Sequence, residues 1–366
     1  MPKPNSLKSL STIGQSIWLD YIDRSFIRNG KLTQLVRDGL RGLTSNPSIF
    51  LEAIGTSDAY DNSIKEIVSS DSTIDNETLF EMLAVRDIQM AADIFRAVYD
   101  DTNGTDGFVS FEVSPHLAHN TSKTVSEAKR LWETIDRPNL MIKVPATKEG
   151  IPAIENLIGM GINVNITLMF SLAHYEAVAN AYINGLAFHS HPKNISSVAS
   201  FFVSRVDTAV DSILEEIGSP KALSLRGKSA IMNCKLAYAR FLKIFNGANF
   251  SEQKQLGFQI QRPLWGSTST KNPEYSDVLY VEELSFPDTV NTLPPATLSA
   301  FQDHGHVQRK SVCNTSDIEQ HFNQIRELSI DFSEITNQLQ VNGIKAFSDS
   351  FNDLISTLSQ KRQVIT

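Results

Sequence analysis

Asn139-Leu140-Met141-Ile142-Lys143-Val144-Pro145-Ala146-Thr147 reads as a buried β-strand with one ammonium in its middle. Short β-like runs of this kind alternate with longer helical patterns over most of the chain, which is the signature of βα units repeated around a parallel sheet. The strand candidates are Ser16 to Ile22, Gly42 to Asn46, Phe108 to Ser114, Leu140 to Ala146, Asn163 to Phe170, Val198 to Val206, Arg262 to Ser267, and Glu282 to Phe286. Eight strands separated by helices favour a closed (β/α)8 TIM barrel over an open doubly wound sheet. No Gly/Ser-rich linker divides the sequence. The expected organisation is therefore one barrel domain over residues 1–366, with additional N- and C-terminal helices.

The connections carry helix signals. Pro47 restricts Asn46 to an extended conformation and itself suits a first helical turn, so Thr44-Ser45-Asn46-Pro47-Ser48 reads as a strand end turning into a helix. Leu79, Leu83, Ile88, Ala91, Ile94 and Phe95 recur at helical spacing between Leu79 and Tyr99. At the C-terminus, Phe332, Ile335 and Leu339, then Val341, Ile344, Phe347, Phe351, Leu354 and Leu358, outline one or two amphipathic helices within about 315–361. Such a stripe must be buried, and the barrel or its mouth is the available partner.

With 366 residues, 41% hydrophobic and 20% charged, the chain has the composition of an ordinary globular protein able to bury a large core. A formal net charge of −8 argues against non-specific binding to nucleic acid or anionic membrane, so any bound phosphate must be held by a few local cations. The N-terminal residues lack the apolar core of a signal peptide, and no later run approaches a membrane span. A cytoplasmic enzyme, monomeric or homodimeric, is expected. Cys234 and Cys313 lie far apart with neither zinc spacing nor a disulfide framework.

Lysine is rarely buried without an ion pair or a chemical task. Burial penalises its charged form, and the neutral amine is the species that attacks a ketone to form a Schiff base. A covalent nucleophile and a snorkelling or ion-paired amine both fit the strand by itself.

Strand parity adds companions, because alternate side chains of a barrel strand point to the interior and to the surrounding helices. Val109, Phe111 and Val113 form one face of their strand and leave Ser110, Glu112 and Ser114 on the other. Val164, Ile166, Leu168 and Phe170 oppose Asn163, Asn165 and Thr167. Lys143 shares its face with Met141 and Pro145. Glu112, Lys143, Asn165 and Thr167 thus converge near the barrel axis, where branched apolar residues are the norm. A satisfied buried network, such as a Lys143–Glu112 ion pair, is the structural alternative to a site. Asp20 ends the first strand on the Trp18 face, where it can serve as general acid and base on substrate hydroxyls. Asp23 suits a helix cap.

Ser200-Phe201-Phe202-Val203-Ser204-Arg205 and Trp265-Gly266-Ser267-Thr268-Ser269-Thr270-Lys271-Asn272 suit phosphate, since hydroxyl residues beside a cation supply donors without bulk. Ser200 and Arg205 have opposite parity, which puts Arg205 beyond the regular strand. Gly159-Met160-Gly161 precedes a strand and lacks a third glycine, so it is no dinucleotide loop. His189 with His191, and His304 with His306, lack a third ligand at metal spacing. No metal or organic cofactor is expected.

Taken together the motifs resemble the transaldolase family, in its longer bacterial branch. The likeness is carried by Leu43-Thr44-Ser45-Asn46-Pro47-Ser48, Phe111-Glu112-Val113-Ser114, Met141-Ile142-Lys143-Val144-Pro145-Ala146-Thr147 and Asn165-Ile166-Thr167-Leu168. It continues through Ser200 to Arg205, Trp265 to Pro273, Val281 to Leu284 and Pro287 to Pro294. The resemblance implies a (β/α)8 barrel that moves a dihydroxyacetone unit between sugar phosphates of the pentose phosphate pathway. The donor would be sedoheptulose 7-phosphate or fructose 6-phosphate, the acceptor glyceraldehyde 3-phosphate or erythrose 4-phosphate.

By the same resemblance Lys143 would form the Schiff base, Asp20 would move the C4 hydroxyl proton, and Glu112 with Thr167 would hold a water. Asn46 and Asn165 would bind the dihydroxyacetone moiety, and Ser200 with Arg205 the hydroxyls and phosphate. Shorter members carry an arginine soon after the serine matching Ser267; here the next cation is Lys271, a point charge without the bidentate fork. A related aldolase that releases free dihydroxyacetone, and a catalytically silent barrel acting as a binding protein, are the alternatives.

Overall fold

In a computed structural model, which describes residues 5–190, 195–310 and 315–365, eight parallel strands close into a barrel in sequence order. They are β1 (Gln15–Asp20), β2 (Gly42–Thr44), β3 (Phe108–Glu112), β4 (Leu140–Pro145), β5 (Val164–Met169), β6 (Ser197–Phe202), β7 (Arg262–Gly266) and β8 (Thr289–Leu293). The ring closes where β8 pairs with β1, Ile17 opposite Asn291.

Two strand expectations need correction. Residues expected as the last strand, Glu282 to Phe286, overlap a helix at Leu279–Glu283, and β8 lies further on. Val281, Leu284 and Phe286 are buried, and so short an apolar run does not distinguish a strand from a buried helical turn. The sixth strand stops at Phe202 and not at Val206, because a helix begins at Ser204. That places Arg205 in the first helical turn, beyond the strand as its parity requires.

Local chemistry explains the element boundaries that position the site. Asn46 is extended and caps the Pro47–Thr56 helix through Oδ1, which accepts from the Ile49 amide at 3.0 Å, with Pro47 in the first turn. Asp23 accepts from the Phe26 amide at 2.8 Å as the cap of the helix after β1. The Leu79 to Tyr99 pattern lies inside a helix spanning Asn76–Asp101.

The inward-facing residues build two layers. Trp18, Phe108, Met141, Val198, Leu264 and Val290, from six strands, join Tyr99 in a cluster that plugs the barrel interior. Gly42, opposite Trp18 in register, makes room for it: a Cβ there would sit 2.5 Å from the indole ring. The polar residues occupy the next layer toward the C-terminal ends of the strands.

The C-terminal stripe is a single 34-residue helix, Phe332–Ile365, preceded by a helix at Thr315–Glu327. It buries Thr336, Gly343, Phe347, Phe351, Leu354 and Leu358, whereas Val341 is 59% exposed and lies off that face. Cys234 is a buried free thiol; Cys313 and His191 lie outside the described residues.

Behind the barrel wall, Arg24 and Asp87 form a fully buried pair at 2.7 Å. Arg24 also donates to Ser63 Oγ and the Leu83 carbonyl and lies 4.2 Å from the centroid of the Tyr60 ring. Breaking such a pair strands the partner charge away from water. Asp87→Ala is expected to lower unfolding free energy by about 3–5 kcal/mol in urea titration. A loss below about 1 kcal/mol would mean that water or a new partner reaches Arg24.

Candidate active site

Register places the polar side chains in two rows. Glu112 on β3 is opposite Lys143 on β4, and Lys143 is opposite Asn165 on β5. On the other side Asp20 is opposite Thr44, and Thr44 is opposite Ser110. Lys143 is 5% exposed; its Nζ donates to the Ser45 carbonyl at 3.2 Å and stands 3.6 Å from Glu112 Oε2. The Phe347 ring of the C-terminal helix covers it, centroid to Nζ 5.6 Å.

The Lys143–Glu112 ion pair does not satisfy the whole cluster. Thr167 Oγ1 and Thr44 Oγ1 are buried with no hydrogen-bond partner among the described residues. An orphaned buried polar atom costs about 1–3 kcal/mol, so these hydroxyls call for a partner such as water or a substrate oxygen. Burial pushes the Glu112 carboxyl up to about 7; the Lys143 ammonium opposes that shift and the Asp20 charge adds to it. Burial also raises the Asp20 carboxyl, against the pull of Lys143 and then of Lys271. The Glu112 value lies near neutral pH, where proton transfer in either direction is easiest.

The pocket above this layer contains about 660 Å³ of open space, its mouth included. Seven of the expected residues line it: Asp20, Asn46, Lys143, Thr167, Ser200, Arg205 and Ser267. Glu112 is not on that wall. It pairs with Lys143 from behind and lines a neighbouring apolar pocket with Phe50, Phe80 and Phe351. Asn165 sits under the floor with both amide ends engaged, donating to Ser110 Oγ at 2.9 Å and accepting from Ser200 Oγ at 2.6 Å. Lys271 is exposed and donates to Ser269 Oγ at 2.8 Å, outside the lining although its charge is felt at Asp20.

The anion corner is made by backbone geometry as much as by charge. Ser267, just past β7, adopts a left-handed conformation at φ 56°, and its Oγ lies 2.9 Å from Ser204 Oγ at the start of the next helix. Arg205 lies 5.6 Å from the centroid of the Phe202 ring and has no hydrogen-bond partner among the described residues. Its guanidinium fork is available to an oxyanion.

Sequence reasoning missed Thr44, Phe202, Thr292 and Phe347 on the pocket wall. Parity applied to β2 would have found Thr44, which stands level with Asp20. Thr292 lies on the misplaced strand. Among the described residues no group of three or more His, Cys, Asp or Glu side chains could hold a metal ion, and no helix is long and apolar enough to cross a membrane.

A desolvated amine between two carboxyls of raised pKa, at the base of a pocket with hydroxyls and a free guanidinium, suits carbonyl chemistry on a phosphorylated polyol. The sequence model of the Transaldolase/Fructose-6-phosphate aldolase family matches residues 17–358. The transaldolase of Parafrankia sp. (strain EAN1pec) is 45% identical over 367 residues, covering 99% of this chain and 98% of that protein. The transaldolase of Mycolicibacterium smegmatis is 42% identical, covering 97% of each, and that of Thermobifida fusca 43% identical, covering 97% of this chain and 98% of that protein.

Proposed function

Because this chain belongs to the transaldolase/fructose-6-phosphate aldolase family, we propose that it transfers a dihydroxyacetone unit from a ketose phosphate to an aldose phosphate, with Lys143 as the covalent carrier. The observation that carries this reading is the buried Lys143 amine, 3.6 Å from Glu112, at the base of the pocket shared with Asp20. The described chain works as one barrel domain with its C-terminal helices packed on it, the last of them reaching the mouth with Phe347. Its substrates are sugar phosphates.

Each step has a residue in place. Lys143 Nζ adds to the ketose C2 carbonyl and gives a carbinolamine. The carbinolamine C–O bond then breaks, its oxygen leaves as water with a proton from Glu112, and the nitrogen lone pair completes the C=N bond. Thr167 offers its unpartnered hydroxyl to that water. Asp20 takes the C4 hydroxyl proton, the C3–C4 bond breaks, and its electron pair passes into the iminium to leave an enamine. The first aldose phosphate departs as the aldehyde. With the second, the enamine C3 attacks the aldehyde carbon, Asp20 returns the proton, and water releases the new ketose.

Ser200, whose proton is committed to Asn165, accepts from a substrate hydroxyl, and Asn46 offers its Nδ2. Arg205 and Ser267 take the phosphate, with Lys271 adding charge from the rim. Phe202 and Phe347 make the roof apolar, which favours transfer to a second sugar over loss of the unit to water.

Borohydride added with fructose 6-phosphate is expected to leave one reduced three- or six-carbon adduct per chain, mapping to the peptide with Lys143. Active, folded protein that gives no adduct would falsify the covalent reading. Transfer to erythrose 4-phosphate is expected to exceed net cleavage. Release of free dihydroxyacetone at the transfer rate would favour the aldolase alternative.

A further inference from the structure

Leu168 is the one residue inside a strand that holds a left-handed backbone among the described residues, at φ 59°, and it directly follows Thr167. The pairing of β5 with β6 slips at this point, between Ile166 and Met169. A γ-branched residue in this region is strained by about 1–3 kcal/mol, so something must hold it there. Two contacts do, and both come from the C-terminal helix. Gln340 Nε2 donates to the Leu168 carbonyl at 3.0 Å and to the Ala146 carbonyl at 2.9 Å. One turn on, Gly343 lies against the Leu168 side chain, where an added Cβ would be 2.9 Å from Cδ2.

The fastened carbonyls terminate the strands that carry the amine and the hydroxyl. Ala146 follows β4, which bears Lys143; Leu168 follows Thr167 on β5; and the Ala146 amide donates to the Thr167 carbonyl at 2.8 Å. Gln340, Gly343 and Phe347 share one helical face, so the same face that ties down these strand ends also places the Phe347 ring over Lys143 Nζ. Both bonds from the helix to these strand ends come from the one Gln340 amide. Gln340 itself does not line the pocket.

We infer that Gln340 is a positioning residue for carbinolamine dehydration and imine hydrolysis: by clamping the Ala146 and Leu168 carbonyls it holds the left-handed turn that keeps the Thr167 hydroxyl free for water. The inference rests on the Schiff-base reading above and adds to it a residue remote in sequence. It separates the two chemical steps. Water chemistry at C2 depends on Gln340, whereas C3–C4 cleavage, served by Asp20 on the opposite side of the barrel, does not.

The test is pre-steady-state. Gln340→Met keeps length and loses the donor; Gln340→Glu keeps volume and turns an acceptor toward two carbonyls. With fructose 6-phosphate and timed borohydride quenching, both are expected to form the Lys143 adduct at least tenfold more slowly than wild type. KM is expected to change less than twofold and the cleavage rate of the preformed imine less than threefold. In a Thr167→Val background, Gln340→Met is expected to add less than a twofold effect, because both act on the same water. Wild-type adduct formation in both variants, a loss confined to KM, or effects that multiply in the double variant would each overturn the inference. A wild-type enzyme that forms no adduct would overturn the Schiff-base reading and this inference with it, a result that the variants alone cannot produce.

Discussion

Lys143→Met is expected to lower kcat/KM for transfer by on the order of 10⁴-fold or more and to abolish borohydride trapping. That loss corresponds to about 5.4 kcal/mol of transition-state stabilisation. Without the amine there is no iminium to accept the C3–C4 electron pair, and Asp20 alone has no acceptor to push toward. Methionine keeps an unbranched side chain under Phe347, so the roof stays packed.

The fate of Glu112 makes the experiment interpretable. Removing the ammonium takes away the influence that opposes burial, so the Glu112 carboxyl moves further above the usual carboxylate range. At neutral pH it simply stays protonated, and the variant remains folded. A folded-state pKa above the unfolded one means that the folded protein holds the extra proton, so stability of the variant falls as pH rises through that pKa. Activity within tenfold of wild type, in protein free of wild-type contamination, would remove Lys143 from the mechanism.

How the site was legible explains what was missed. Alternation along β3 and β5 places Glu112, Asn165 and Thr167 on one face because a strand has a period of two, and the closed barrel turns that face inward. The same reasoning fails where the period is not sustained. Leu168 breaks it with a left-handed backbone that leucine does not advertise, and the run Glu282 to Phe286 is too short for its periodicity to declare itself. Contacts across sequence are invisible to pattern altogether: Gln340 is 194 and 172 residues from the two carbonyls it clamps, and Asn165 spends its amide on Ser110 and Ser200 where the family likeness assigns it to substrate. The amphipathic stripe of the last helix foretold that it would be buried. Only packing shows that the buried face reaches the Lys143 amine.

Asp20→Asn should separate the two halves of the reaction. The amide matches the carboxylate in shape and can hydrogen-bond the C4 hydroxyl, but it cannot accept its proton. Cleavage of the preformed imine is expected to fall by about 10²–10⁴-fold, the usual worth of a positioned general base. Adduct formation on Lys143 is expected to stay within a few-fold of wild type, since the proposed mechanism gives that step to Glu112 and Thr167. The pH dependence adds a second readout. Burial raises the Asp20 pKa, with Lys143 the first of the charges opposing it, and an iminium at Lys143 keeps that positive charge in place until the C3–C4 bond breaks. Because the carboxylate is the reactive form, wild-type cleavage rate rises with pH through the raised pKa and then levels, and the Asn variant is expected to lose that rise. If adduct formation drops as far as cleavage, Asp20 acts at C2 and not at C4. If the variant keeps the wild-type pH profile at a reduced rate, another group, with Glu112 the nearest candidate at about 7, is taking the proton.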